Sequence, residues 1–134
     1  NDFGFQSVLK LLKKSNLKNI KIIKNLDRDK FIDLLSGSKI LIGNSSCGII
    51  EASSFNLPVV NIGTRQEGRP QSKNIINSNY SSNDIKKKIK ISLSDRFKKK
   101  CNIAKNLYYK KNSGYLIYKV LRNLKPTSKI LKKY

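Results

Sequence analysis

The sequence predicts an α/β fold in which a parallel β-sheet is layered between helices. Three observations lead there. Several short runs are apolar throughout and rich in β-branched residues, as strands buried on both faces must be. Between them lie stretches whose apolar residues recur at helical spacing, joined by short polar loops, so the pattern is a repeated strand-helix-strand unit. The length of 134 residues suits a single domain with one core.

The elements follow in order. Phe5, Val8, Leu9, Leu11 and Leu12 repeat at helical spacing until Asn16 closes the segment. Ile20, Ile22 and Ile23 then make a short β-branched run, the first expected strand. Asp27 offers a helix cap and Asp29 a first-turn carboxylate, before Phe31, Ile32, Leu34 and Leu35 form a helix that Gly37 stops. Ile40, Leu41 and Ile42 are a second strand ending at Gly43, and the Asn44-Ser45-Ser46 loop leads into a helical stretch over 48–52. Pro58 opens a third strand through Val59, Val60 and Ile62. A polar loop over 63–72, with Gly68 and Pro70, separates it from a last short strand at 74–76. Ser82 or Asn83 caps a helix with Ile85 and Ile89 on one face. Leu116, Ile117, Val120, Leu121 and Leu124 give the clearest amphipathic stripe, which Pro126 ends, and a basic tail follows over 127–134.

Composition limits the function classes. The net charge of +21 invites a nucleic-acid or anionic-surface reading. Of the basic residues, however, only Arg28, Arg65, Arg69, Arg96 and Arg122 are arginines, and the chain is also rich in Asn and Ile. Base-reading sites favour the arginine fork, whereas an A/T-rich coding bias yields Lys, Asn and Ile together. The clusters Lys86-Lys87-Lys88 and Lys98-Lys99-Lys100 therefore read as solvated helix faces, and a basic nucleic-acid-binding α/β module stays as the alternative from another class. No apolar run approaches the ~20 residues of a membrane span. Cys47 and Cys101 are too few and too far apart for a disulfide framework, and with no histidine they complete no zinc site, so a cytoplasmic setting with no metal or other cofactor is expected. Asn1-Asp2-Phe3-Gly4 carries no export signal, and the chain reads as a mature fragment or an interior piece of a longer one.

Chemistry concentrates after the second strand. The run 40–51 places a strand, a tight polar turn and a helix start in sequence, the place where open α/β sheets bind ligands. Unpaired N–H groups and the helix dipole favour an anion there, and the Ser45 and Ser46 hydroxyls add donors. Gly48 removes a Cβ that would hold a phosphate away. Glu51, about one turn further in, is placed to accept hydrogen bonds from a ribose diol. Taken alone, the stretch is equally an ordinary capped helix start followed by a surface glutamate. The next loop, Asn61-Ile62-Gly63-Thr64-Arg65-Gln66-Glu67-Gly68-Arg69-Pro70, leaves the same sheet edge with two arginines suited to phosphates or a sugar. Cys47 reads as a small buried residue and not a nucleophile; Tyr108, Tyr109, Tyr115 and Tyr118 read as core or rim.

Gly43-Asn44-Ser45-Ser46-Cys47-Gly48-Ile49-Ile50-Glu51, with Pro58-Val59-Val60-Asn61-Ile62-Gly63-Thr64-Arg65-Gln66 and Gly68-Arg69, resembles the hydrolysing UDP-N-acetylglucosamine 2-epimerases. Asp2-Phe3-Gly4 and the 29–35 helix extend the resemblance over nearly the whole chain. It implies a glycosyltransferase-B-like enzyme of two Rossmann-like domains, with residues 1–125 as the C-terminal, UDP-binding, three-layer αβα domain and 126–134 as a basic tail. It implies that Ser45 and Ser46 hold the phosphates, Glu51 the ribose, and Arg65 the diphosphate or sugar, with Gln66, Arg69 and Gly48 as substrate-loop candidates. The implied reaction eliminates UDP and adds water, releasing N-acetylmannosamine for sialic or other nonulosonic acids, without a redox cofactor. A UDP-linked diacetamido sugar is the alternative substrate. The catalytic groups are implied to lie in a missing N-terminal domain and near the domain junction, so this chain alone is expected to be inactive, and the full-length protein to be a homo-oligomer. One departure stands out: the family's Tyr-Gly-Asp-Gly-Asn-Ala stretch is here Tyr108-Tyr109-Lys110-Lys111-Asn112-Ser113, either a relaxed substrate contact or a surface loop.

Overall fold

The computed structural model describes residues 5–14 and 18–124. They fall in two compact units, Asn1–Phe31 and Ile32–Tyr134. In the first, helix α1 spans Phe5–Lys14, as the apolar spacing predicts, with Val8 and Leu11 exposed. The run of Ile20, Ile22 and Ile23 departs from expectation. It forms no strand, and all three side chains are exposed. Strands are stable through their ladders, and among the described residues this segment has none. Helix α2, Arg28–Gly37, begins where Asp27 accepts the Phe31 N–H at 2.9 Å, and Lys30 pairs with the Asp27 carboxylate at 2.9 Å.

The second unit holds a parallel three-stranded sheet in the order β1-β2-β3, with β1 at Leu41–Gly43, β2 at Val59–Ile62 and β3 at Ile75–Ser78. Leu41 lies opposite Val59, and Val60 opposite Ile76. The central position of β2 explains why it is wholly apolar at its start: Val59 and Val60 are buried with Leu35, Ile49, Ala52, Leu57, Phe97 and Cys101. As an edge strand, β1 is less covered than an apolar run suggests, and Ile42 is 44% exposed. Helices flank the sheet, giving the Rossmann-like α/β class that the alternation predicts. Between β1 and β2 runs α3, Ser46–Ile50, then a 3₁₀ turn at Ala52–Phe55. That turn closes at Asn56 in a left-handed conformation (φ 53°), which asparagine tolerates. Buried Asn74 donates from Nδ2 to the Leu57 carbonyl at 2.8 Å, and its own carbonyl accepts the Val59 N–H at 2.9 Å, so it ties the start of β2 and precedes β3 instead of opening it.

After β3 come α4 (Ser82–Ser92), α5 (Asp95–Asn102) and α6 (Ser113–Asn123). The cap of α4 is Ser81, one residue before the expected serine. Helix α5 is built on Ser94, whose hydroxyl accepts the Phe97 N–H at 3.3 Å, and on Phe97 and Cys101, four residues apart and both buried. Its lysines, like those of α4, lie mostly on exposed positions, as the charge pattern predicts. Helix α6 corrects a reading. None of its residues is buried, and Tyr115 and Tyr118 are 64% and 57% exposed, so packing does not account for them. An amphipathic stripe records that a helix has an apolar side; it does not say what covers that side. Asp2-Phe3-Gly4, Asn16, Pro126 and the basic tail lie outside the described residues. No described helix is long and apolar enough to cross a membrane.

Candidate functional site

Because the strands are parallel, the loops at 43–46 and 63–70 leave the same carboxyl edge. The first turns sharply at Gly43, whose φ of +147° a side chain would resist. Ser45 caps α3 from an extended conformation (φ −71°, ψ 143°), and its Oγ accepts the Cys47 N–H at a long 3.4 Å. A hydroxyl that accepts in this way keeps its own proton for an anion. Ser45 is exposed and Ser46 half-buried, so both hydroxyls lie at the surface edge of the turn. Glu51 closes α3, donating its N–H to the Cys47 carbonyl at 2.9 Å. It is half-buried, with Oε2 shielded from solvent. It lies five positions beyond Ser46, about 7.5 Å along the axis.

Two physical reasons given for this turn change in the structure. Helix α3 has five residues, so its negative end lies within a turn and a half of its positive end and offsets it. A macrodipole thus contributes little at this turn, and its polar character rests on hydroxyls and individual N–H groups. Gly48 is buried, and a Cβ there would meet Val59 Cγ1 at 3.0 Å and Leu41 Cδ2 at 3.3 Å. The missing side chain lets α3 sit against the sheet; the structure offers no need of it for phosphate approach.

The second loop divides its residues. Arg65 and Arg69 are exposed, as cations that meet a solvent-borne ligand must be. Gln66 is not a surface residue of this loop: it is 3% exposed, and its Nε2 donates to the Asn44 carbonyl at 2.8 Å. That bond joins the arginine loop to the serine turn across 22 residues of chain. Glycine at position 63 is required, because φ is +74° and a Cβ would fall 2.2 Å from the Tyr80 ring. Tyr80, Asn61, Thr64, Glu67, Gln71 and Asn77 line a polar cleft of about 370 Å³ at the ends of β2 and β3. Its amides are ordered in series, Asn61 Nδ2 donating to Asn77 Oδ1 and Asn77 Nδ2 to Gln71 Oε1, each at 2.9 Å. None of Ser45, Ser46 and Glu51 borders this cleft.

Supporting contacts single out three residues, of which Asn106 and Ser72 escaped the sequence reading. Asn106 donates from Nδ2 to the Ile50 carbonyl at 2.9 Å and to Ser54 Oγ at 2.6 Å, satisfying the end of α3. Ser72 donates to the Lys105 carbonyl at 2.6 Å, and the Tyr108 hydroxyl donates to the Pro70 carbonyl at 3.1 Å. Together they strap the segment after α5 to the end of α3 and to the far end of the arginine loop. No local signal marks such pairs, which lie 33 to 56 residues apart. Tyr108 is thus a rim residue with a defined partner. Asn112 opens α6 in a left-handed conformation, and Lys110 and Lys111 lie exposed between them. Cys47 is half-buried; Cys101 is fully buried, and burial pushes its thiol upward against the weaker opposing pull of Lys100. Among the described residues no three His, Cys, Asp or Glu side chains cluster as metal ligands would.

The family described as UDP-N-acetylglucosamine 2-epimerase matches residues 1–122. Over 115 residues the chain is 39% identical to the hydrolysing UDP-N,N'-diacetylbacillosamine 2-epimerase of Legionella pneumophila, covering 86% of this chain and 29% of that protein. It is 36% identical over 98 residues to the hydrolysing GDP/UDP-N,N'-diacetylbacillosamine 2-epimerase of Campylobacter jejuni, covering 73% of this chain and 25% of the relative. With the UDP-N-acetylglucosamine 2-epimerase of Neisseria meningitidis it shares 35% identity over 85 residues, 63% of this chain and 22% of the relative. The chain therefore spans under a third of the length of each of these relatives.

Proposed function

The chain belongs to the UDP-N-acetylglucosamine 2-epimerase family, and we propose that it is the UDP-binding portion of a hydrolysing 2-epimerase, with residues 1–125 as the nucleotide-binding part and 126–134 as a basic tail. The observation that carries this reading is the bond from Gln66 to the Asn44 carbonyl, which draws the serine turn and the arginine loop together at the carboxyl edge of a parallel sheet. In this reading Ser45 and Ser46 donate to the diphosphate, Arg65 and Arg69 neutralise it, and Glu51, about one α3 length away, accepts from the ribose hydroxyls.

The reaction removes the proton at sugar C2 while the C1–O bond breaks and UDP departs with the electron pair, leaving a C1–C2 double bond. Water then adds its hydroxyl at C1, and a proton returns to C2 from the opposite face. Negative charge grows on the departing diphosphate, so the hydroxyls and guanidinium groups of this chain contribute by holding the leaving group. The base and acid come from polypeptide beyond this stretch, so the 134-residue chain by itself binds nucleotide without turnover. The full-length protein would work in the cytoplasm as a homo-oligomer. The greater coverage of this chain by the diacetylbacillosamine-named relatives favours a second substrate reading, a UDP-linked diacetamido sugar over UDP-N-acetylglucosamine.

Calorimetric titration of UDP and ADP at two salt concentrations, with Ser46→Ala and Glu51→Ala beside the parent chain, tests the reading. Micromolar-to-millimolar UDP binding with a mild salt effect, lost in both variants, is expected, on the order of an isolated half-site. Absence of UDP binding, together with steeply salt-dependent binding to DNA or RNA, would refute it and leave the +21 charge as the functional feature.

A further inference from the structure

Gln66 sits in a position that packing alone does not explain. It is 3% exposed; one end of its amide donates to Asn44 at 2.8 Å, while Oε1 is buried without a hydrogen-bond partner among the described residues. A buried acceptor left unpaired costs stability, and an apolar side chain of like volume would fill the space without that cost. What glutamine adds is its donor, aimed at a single carbonyl.

That carbonyl governs the serine turn. The Asn44–Ser45 peptide is planar and trans, so anchoring its C=O to a buried amide turns the Ser45 N–H the opposite way, toward the exposed side on which Ser45 lies. Immediately upstream, Gly43 holds a φ of +147° that a side chain would resist, so the turn that carries the Asn44 carbonyl depends on glycine there. Helix α3 is too short for its dipole to orient an anion, which leaves the direction of individual donors as the deciding feature.

We propose that Gln66 is a positioning residue that never touches the ligand: by holding the Asn44 carbonyl it presents the donors of the Ser45-Ser46 turn to a nucleoside diphosphate. This rests on the reading of that turn as a UDP cradle. It also reassigns Gln66 from the substrate loop to the support beneath it.

The test uses a ligand pair that separates phosphate recognition from the rest. UDP and uridine are titrated by calorimetry into the 134-residue chain and into Ser46→Ala, Gln66→Met and Gly43→Ala. Gln66→Met keeps the volume and removes the donor; Gly43→Ala strains the backbone that leads into Asn44, through the φ of +147° alone, since a Cβ there meets nothing within 4 Å. The expected result is that Gln66→Met and Gly43→Ala each lower the preference for UDP over uridine by roughly tenfold, the weight of one hydrogen bond, with uridine affinity unchanged. If Gln66→Met gives no cooperative melt, Gly43→Ala decides. A folded variant that keeps the parental preference, or that loses UDP and uridine alike, overturns the positioning role. If the parent prefers UDP and Ser46→Ala abolishes that preference, the cradle reading still stands. A parent chain without any preference for UDP overturns both.

Discussion

Gly48→Ala separates a packing glycine from a ligand-binding one. In a helix, alanine is about 1 kcal/mol more favourable than glycine, so an unobstructed site would be stabilised. Here the new methyl meets Val59 Cγ1 at 3.0 Å and Leu41 Cδ2 at 3.3 Å, and Val59 is 2% exposed in the central strand with little room to retreat. Overpacking of this kind costs about 1–3 kcal/mol, so the net change runs from about zero to 2 kcal/mol of destabilisation. For a folded unit of roughly 100 residues, each 1 kcal/mol lowers Tm by about 4–8 °C. Thermal melts of Gly48→Ala, Val59→Ala and the double variant measure the coupling, expected to be about 1 kcal/mol or more in favour of the pair because Val59→Ala removes the obstructing methyl. A higher Tm for Gly48→Ala, or no coupling with Val59, would sink the packing argument. Loss of UDP binding in such a stable variant would return Gly48 to the ligand site.

Two further outcomes follow from ionisable groups. The Asp84 carboxyl is held below its ordinary 3.8, first by the Asn79 N–H, then by the Ser78 hydroxyl, with Lys88 and Lys87 adding to the pull against partial desolvation. A depressed folded value means stability present above pH 3.8 and lost as pH falls from there through the folded value. Urea melts of Asp84→Asn should therefore show a shallower acid decline than the parent, and identical pH profiles would contradict the assignment. Thiol labelling of the native chain should modify half-buried Cys47 first and reach Cys101 only after unfolding, since Cys101 is fully buried with its thiol shifted toward the protonated form. Two equally fast thiols would show that α5 does not stay docked.

Short-range features made much of this protein readable from its residues. Apolar β-branched runs located β1 and β2, helical spacing located α1, α2, α4 and α6, and the Ser45 cap was visible from its place between a strand and a helix. These signals survive because propensity, periodicity and capping act over a few residues. The Ile20–Ile23 region shows the limit of such reasoning, since a β-branched run becomes a strand only with a neighbour to pair with. Helix α5 shows another: its two buried residues, Phe97 and Cys101, are too sparse among lysines to announce a buried face.

What the linear order could not decide is which polar side chain faces in and which glycine serves what. Gln66 and Arg65 are neighbours in a polar loop, yet one is buried on a carbonyl 22 residues back while the other is exposed. Gly48 reads as room for a phosphate until the register brings Val59 beneath it. Asn106 becomes a support for α3 only once 56 residues of intervening chain have folded back. Amino-acid type and local spacing determined the alternation of elements and the donor-rich turn. Burial and long-range side-chain pairing arise from strand register and loop closure, so only the tertiary structure decided which polar residues reach the surface and which are buried beneath them.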